Sequence, residues 1–160
     1  KMCIGNVLNP ELGRVGSVVA GDPMLLQLLV SNDMLPIISS IGADQNGQLL
    51  NINADQAATV IAQLLKAELI LLSDVPGVLD ADRSLIEKLD HDQINELIEN
   101  GVIRDGMIVK VQAALIAAQS LGRSVTIASW KSTNELLGFL HNEPVGTKIS
   151  PALSASQHLK

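Results

Sequence analysis

A chain of 160 residues, 47% hydrophobic and 18% charged, suits one domain with a sizeable core and excludes a disordered tail or solvated linker. Eleven basic against seventeen acidic residues leave a net charge of −6; with no run of lysines or arginines, neither nucleic acid nor an anionic membrane is the expected partner. Phe139 and Trp130 are the only aromatic residues and Cys3 the only cysteine, which excludes base-stacking platforms, internal disulfides and cysteine metal sites.

His91, His141 and His158 are scattered without zinc-ligand spacing, so no metal site is expected. No apolar stretch approaches the ~20 residues that cross a bilayer, and no signal peptide is recognisable. A cytoplasmic protein is expected. The chain opens at Lys1 and runs straight into Met2-Cys3-Ile4-Gly5, as a piece of a longer protein would.

Residues 14–20 (RVGSVVA) are a β-branched run between glycines and read as a strand. Asp22 caps the helix that follows, with Pro23 at its first position and an end near Asn32. Residues 35–41 (LPIISSI) have the pattern of a strand covered on both faces. Turn chemistry at 44–47 leads into 49–52, the returning arm of a hairpin. Asn53 caps a helix from Ala54 to about Lys66, and 68–72 (ELILL) is the clearest buried strand. A turn follows at 74–77. Helices are expected over 91–100, stopped by Gly101, and over 106–121, stopped by Gly122. Residues 125–128 form another buried strand. Ser132-Thr133-Asn134-Glu135 is a capping box for a helix ending near Leu140. Residues 146–149 read as a last edge strand and 151–160 as a polar tail. Strands alternating with helices predict an α/β three-layer sandwich, a mostly parallel central sheet with helices on both faces. Ligands of such sheets bind at the carboxyl ends of the strands.

Three segments fall at such ends. In Asn51-Ile52-Asn53-Ala54-Asp55-Gln56, Asn53 and Gln56 are explained by a capping box and Asp55 by the helix dipole. Asn51 lies outside the cap and is not so explained. In Ser73-Asp74-Val75-Pro76-Gly77-Val78 a buried strand ends in a tight turn. Its aspartate is either simply solvated or accepts from a ribose or orients a lysine. In Asp105-Gly106-Met107-Ile108-Val109-Lys110 the lysine falls in the second turn of a helix, where a cation costs ~0.3–1 kcal/mol and an anion is welcome. Either Lys110 points away, solvated or paired with an acid, or a phosphate sits beside it. Gly106 would leave such a phosphate room. Neither a P-loop nor a G-x-G-x-x-G fingerprint is present. His91 reads as a solvated helix start and Trp130 as packing.

These three segments together resemble the amino-acid kinase family, and within it the acetylglutamate kinases. The match covers nearly the whole chain but only the C-terminal part of the family's length. A counterpart of Asp55 is general to the family. Asn51-x-Asn53-Ala54 with Gln56-Ala57-Ala58 is what points to the acetylglutamate branch. The resemblance implies transfer of phosphate from ATP to the side-chain carboxylate of N-acetyl-L-glutamate, in arginine biosynthesis. It implies a homo-oligomeric parent enzyme with small-molecule partners only. Lys110 would contact the transferring phosphoryl group and Asp55 would position the catalytic lysines. Asn51 would contact acetylglutamate, with Asn53 beside it. Ser73, Asp74, Val75, Gly77, Val78 and Leu79 would frame the nucleotide, together with Val102, Ile103, Gly106, Met107 and Lys110. Met107 would lie against the adenine. Magnesium would bridge the phosphates with little protein ligation. On this resemblance residues 1–150 are an ATP-binding lobe. The family's N-terminal acyl-substrate lobe, with its Lys-x-Gly-Gly segment and second glycine-rich loop, is absent. The chain alone is therefore expected to bind nucleotide without catalysing. A uridylate- or carbamate-kinase-like relative would keep the Lys110 chemistry with another acceptor, and a non-catalytic nucleotide-sensing module would keep only the binding.

Overall fold

The computed structural model describes residues 3–131, 133–141 and 143–151; the expected tail beyond Pro151 lies outside them. The chain divides into two compact units, 1–67 and 68–160.

In the first unit, the β-branched runs pair as a sheet in the order β1-β2-β4-β3. β1 (Cys3–Val7) and β2 (Val15–Gly21) are antiparallel, joined through a 3-10 turn (Pro10–Leu12) that Asn9 caps by accepting from the Glu11 N–H at 3.0 Å. α1 (Met24–Ser31) follows, with the Asp22 carboxylate accepting from the Met24 N–H at 2.9 Å. β3 (Ile41–Ala43) turns back into β4 (Leu49–Ile52) through Asp44, whose side chain accepts from the Asn46 and Gln48 N–H groups. β4 lies parallel to β2, Val15 opposite Asn51. α2 (Ala54–Leu65) packs on β2 and ends where Lys66 adopts a left-handed conformation. Leu26, Leu50, Ile52 and Ala62 are the buried core of this unit.

In the second unit the order is β5-β7-β8-β6. β5 (Leu69–Ser73) and β7 (Val125–Ser129) are parallel and in register from Leu69–Val125 to Ser73–Ser129. Their carboxyl ends therefore lie side by side. β8 (Thr147–Ile149) runs antiparallel to β7 and parallel to the short β6 (Lys88–Leu89). All five β7 residues are buried, Thr126 and Ser129 among them. α4 (Asp105–Leu121) packs against it, and the helix buries Val111, Ala114, Leu115, Ala117 and Ala118. α3 (His91–Glu99) starts in a full capping box between Asp90 and Gln93, and α5 (Thr133–Leu140) also packs on β7.

Thr147, fully buried, ties the turn after β5 to the sheet. Its Oγ1 accepts from the Val78 N–H at 2.8 Å and donates to the Ile86 carbonyl at 2.7 Å. Gly77 has to be glycine, because a Cβ there would lie 2.6 Å from that oxygen. Thr147→Val keeps the shape but leaves the Val78 N–H and Ile86 carbonyl unpaired in the interior. A loss of about 1–3 kcal/mol is expected, read as a lower urea midpoint at unchanged slope.

The α/β class and the helix-packed sheets match the expected architecture, with mixed strand directions: β2/β4, β5/β7 and β6/β8 are parallel and the other three pairings antiparallel. Two expectations are corrected. Residues 146–149 do not supply an edge strand, since β6 adds beyond β8 and makes it internal. Residues 35–41 are not a covered strand. Only Ile41 enters β3, while Leu35 and Ile37 are 86% and 94% exposed. A both-faces-apolar strand needs covering neighbours, and among the described residues β4 meets only its end, the Ile52 N–H bonding to the Ser40 carbonyl and Ile41 pairing with Asn51. β1 and β6 are not among the strands expected from the sequence. Of the capping box proposed at 132–135, Ser132 lies outside the described residues, and α5 begins at Thr133.

Candidate functional site

β5 carries Ser73 as its last residue, so the strand delivers a hydroxyl and then the Asp74 carboxylate to the carboxyl edge of the sheet. α4 brings Lys110 to the same place from its second turn. The Lys110 ammonium donates to the Ser73 hydroxyl and lies 2.6 Å from Asp74 Oδ1, and Ser73 Oγ donates to the same carboxylate oxygen at 3.0 Å. The lysine near a helix N-terminus is thus paired with an acid. The aspartate does orient a lysine.

The hydrogen bond from Lys110, then that from Ser73, then the backbone N–H and the lysine's charge hold the Asp74 carboxyl down at about 2, against an ordinary 3.8. The group binds its proton less readily folded than unfolded. Its contribution to stability is therefore complete above pH 3.8 and is lost as pH falls from there through about 2. An NMR titration of the Asp74 carboxyl is expected to show a midpoint near the lower value, and Lys110→Ala should return it toward the upper one. An unchanged midpoint in the variant would mean the pair does not form in solution.

The other expected nucleotide residues divide by what they can offer. Val75, Leu79 and Met107 are part-exposed and Gly106 is open, with nothing within 4 Å of where its Cβ would be. Gly77, Val78 and Ile103 are buried, and the Val78 N–H is taken by Thr147. Val102 and Ile103 cap the end of α3, both N–H groups bonding to the Leu97 carbonyl. Asp105 starts α4 at φ 48°, a left-handed conformation that aspartate tolerates better than most residues.

In the first unit, Asn51 sits on β4 with its side chain exposed. Asn53 caps α2 by accepting from the Gln56 N–H at 3.1 Å, and Asp55 lies exposed in the first turn. The capping explanation of Asn53 is realised.

Two further residues lie at the β5/β7 edge: Trp130, expected as packing, and Lys131, which carries no expectation. Trp130 is 59% exposed, so it is not core packing; its backbone N–H donates to the Ser73 carbonyl at 3.0 Å. Lys131 follows, its ammonium 5.6 Å from the indole centroid. The strand-end position of Trp130 was the available signal. His91 is half-exposed, beside Asp92 at 2.9 Å, as a solvated helix start should be. A cavity of about 380 Å³, lined among others by Glu68, Lys88, Thr126, Phe139 and Lys148, lies toward the opposite end of β5 and includes none of the nucleotide residues. No described helix is long and apolar enough to cross a membrane.

A strand-end hydroxyl and carboxylate facing a helix-borne lysine, on an α/β sheet, is an arrangement suited to handling phosphate. The chain belongs to the amino acid kinase family, whose model matches residues 2–129. It is 57% identical over 143 residues to an acetylglutamate kinase of Actinobacillus succinogenes, a match covering 89% of this chain and 56% of that protein. The chain thus spans little more than half the length of that relative. Among solved structures it is similar to an N-acetylglutamate synthase from Neisseria gonorrhoeae complexed with coenzyme A and N-acetyl-glutamate, with a TM-score of 0.78 at 21% identity, covering 96% of this chain and 37% of that one. It is also similar to a carbamate kinase from Giardia lamblia bound to citric acid, with a TM-score of 0.61 at 22% identity, covering 86% and 46%. These two likenesses speak for the three-layer α/β fold.

Proposed function

We propose that this chain is the nucleotide-binding part of an acetylglutamate kinase, which transfers phosphate from ATP to the side-chain carboxylate of N-acetyl-L-glutamate. The carrying observation is the Lys110–Ser73–Asp74 cluster at the carboxyl edge of β5, on a chain 57% identical to an enzyme of that name.

The chemistry asks for what the cluster offers. Phosphoryl transfer needs positioning and charge neutralisation more than covalent participation. Asp74 and Ser73 hold the Lys110 ammonium at the strand end, and it exchanges these partners for phosphoryl oxygens when nucleotide arrives. The first turn of α4 adds backbone N–H groups that favour the same anion. The attacking carboxylate is already ionised at neutral pH, so no general base is required. Asn51 and Asn53 are proposed to recognise the acyl substrate, and Asp55 to order the catalytic cations. Magnesium enters with ATP as part of the substrate. Among the described residues no three carboxylates, histidines or cysteines converge to hold it.

Titration of the chain with magnesium–ADP is expected to move the amide resonances of Ser73, Asp74, Met107 and Lys110. It should also change the fluorescence of Trp130, the single tryptophan. Shifts confined to the Leu69–Val125 end of the strands would refute the assignment.

A further inference from the structure

The carboxyl ends of β5 and β7 carry more than the Ser73–Asp74–Lys110 cluster. Ser73 and Ser129 are register partners, so the two strand ends stand one strand spacing apart, ~4.8 Å. Two hydrogen bonds then fix the chain as it leaves β7. The Trp130 backbone N–H donates to the Ser73 carbonyl at 3.0 Å, carrying the β5/β7 ladder one residue past the strand. The Lys131 backbone N–H donates to Ser129 Oγ at 3.1 Å, and Ser129 is itself buried. Trp130 and Lys131 are thus anchored to the edge at which Lys110 is held. What they present there is unusual for this chain. Trp130 is one of its two aromatic residues, yet more than half of it lies in solvent. The Lys131 ammonium, 5.6 Å from the indole centroid, is within reach of cation–π attraction. Among the described residues no carboxylate pairs with it, whereas Lys110 has Asp74. An ammonium held by a ring keeps its charge and its N–H donors for an anion.

We infer that Lys131 is a further phosphate-binding cation of the nucleotide site, with Trp130 as the residue that positions it. The pair recognises the phosphate chain of the nucleotide and not its base. The inference rests on the nucleotide reading above. Lys110, aimed from α4, serves the phosphoryl group that is transferred. Lys131, one strand over, serves the β-phosphate, which stays with the nucleotide. The ring fits this division of labour: it holds the ammonium near the edge without neutralising it, as an aspartate would. A purely structural pair would have no need of the anchoring to Ser73, and base stacking on the indole would compete with the lysine already lying over it.

The test is an NMR-detected titration of the 160-residue chain and its variants with magnesium–ADP and, separately, with AMP. Lys131→Met is expected to weaken ADP about tenfold, the cost of one charge-assisted hydrogen bond, and to shift AMP by less than about twofold. Lys131→Arg, which keeps the charge and stacks on an aromatic face, should restore ADP binding. Trp130→Leu should weaken ADP by about two- to fivefold, as loss of an exposed cation–π contact does, and Trp130→Phe should recover most of it. Both side chains are exposed, so the far-ultraviolet spectrum should not change. Undiminished ADP affinity in Lys131→Met would overturn the inference, as would equal losses for ADP and AMP. A loss of AMP affinity in Trp130→Leu would assign the ring to the base and overturn it as well. The amides of Ser73 and Lys110 in the parent chain separate the two readings. If magnesium–ADP moves them while Lys131→Met binds as the parent does, this inference alone fails; if ADP leaves them unmoved, the nucleotide assignment fails with it.

Discussion

Lys110→Ala is expected to lower kcat by ~10²–10³, the usual cost of removing one preorganised stabiliser of developing charge. The enzyme to test is this chain completed with the missing portion of the Actinobacillus succinogenes relative. The KM for ATP should rise far less. Charge spreads over the equatorial oxygens of the phosphoryl group most fully in the transition state, so an ammonium aimed there acts mainly on turnover. The pre-aiming is visible without substrate, since Ser73 and Asp74 hold the ammonium at the strand end. Folding should not confound the result, because Lys110 is part-exposed and its ion pair with the exposed Asp74 adds little to stability. Turnover within about twofold of the parent would end the catalytic assignment. Asn51→Ala in the same enzyme should instead weaken use of acetylglutamate with ATP binding intact.

How far the sequence was readable depended on whether the deciding contacts were local. Caps are local: Asn53 with Gln56 and the left-handed stop at Gly122 lie within a few residues, and the helices begin and end close to where those residues place them. The site was legible for a related reason. A lysine four residues past Gly106 violates the helix dipole, and an acid at the end of a buried strand is the obvious partner for it. The pairing across 36 residues of sequence could be suspected though not measured. Strand neighbours are non-local and were read less well. β6 is two residues long and exists only because β8 offers it a parallel edge, so no periodicity could announce it. Residues 35–41 failed in the opposite direction. Their pattern describes a buried strand faithfully, but burial needs a partner that the described residues do not contain. Trp130 was misjudged because aromatic residues are usually core, whereas here the strand ends one residue earlier and leaves the ring outside.

Supplied with ATP, magnesium and N-acetyl-L-glutamate, the 160-residue chain alone is expected to release no acetylglutamate-dependent ADP above background. The resemblance to acetylglutamate kinases implies a Lys-x-Gly-Gly strand end and a glycine-rich loop opposite the helix-borne lysine, and no two glycines are adjacent anywhere in this sequence. On the proposed assignment Lys110 would meet the transferring group from one side, with water on the other. Positioning of two reactants can supply ~7–11 kcal/mol of the barrier reduction, and an acceptor held on one side only forfeits most of it. Nucleotide binding should survive, because the β5 and β7 ends, the start of α4 and the Ser73–Asp74–Lys110 cluster all lie within the second unit. The discriminating measurement pairs a coupled ADP-release assay with the magnesium–ADP titration on one preparation. Binding without turnover is the expected outcome. Robust turnover by the chain alone would mean that the acceptor site is complete within this chain and that no lysine or glycine-rich loop from outside it is required.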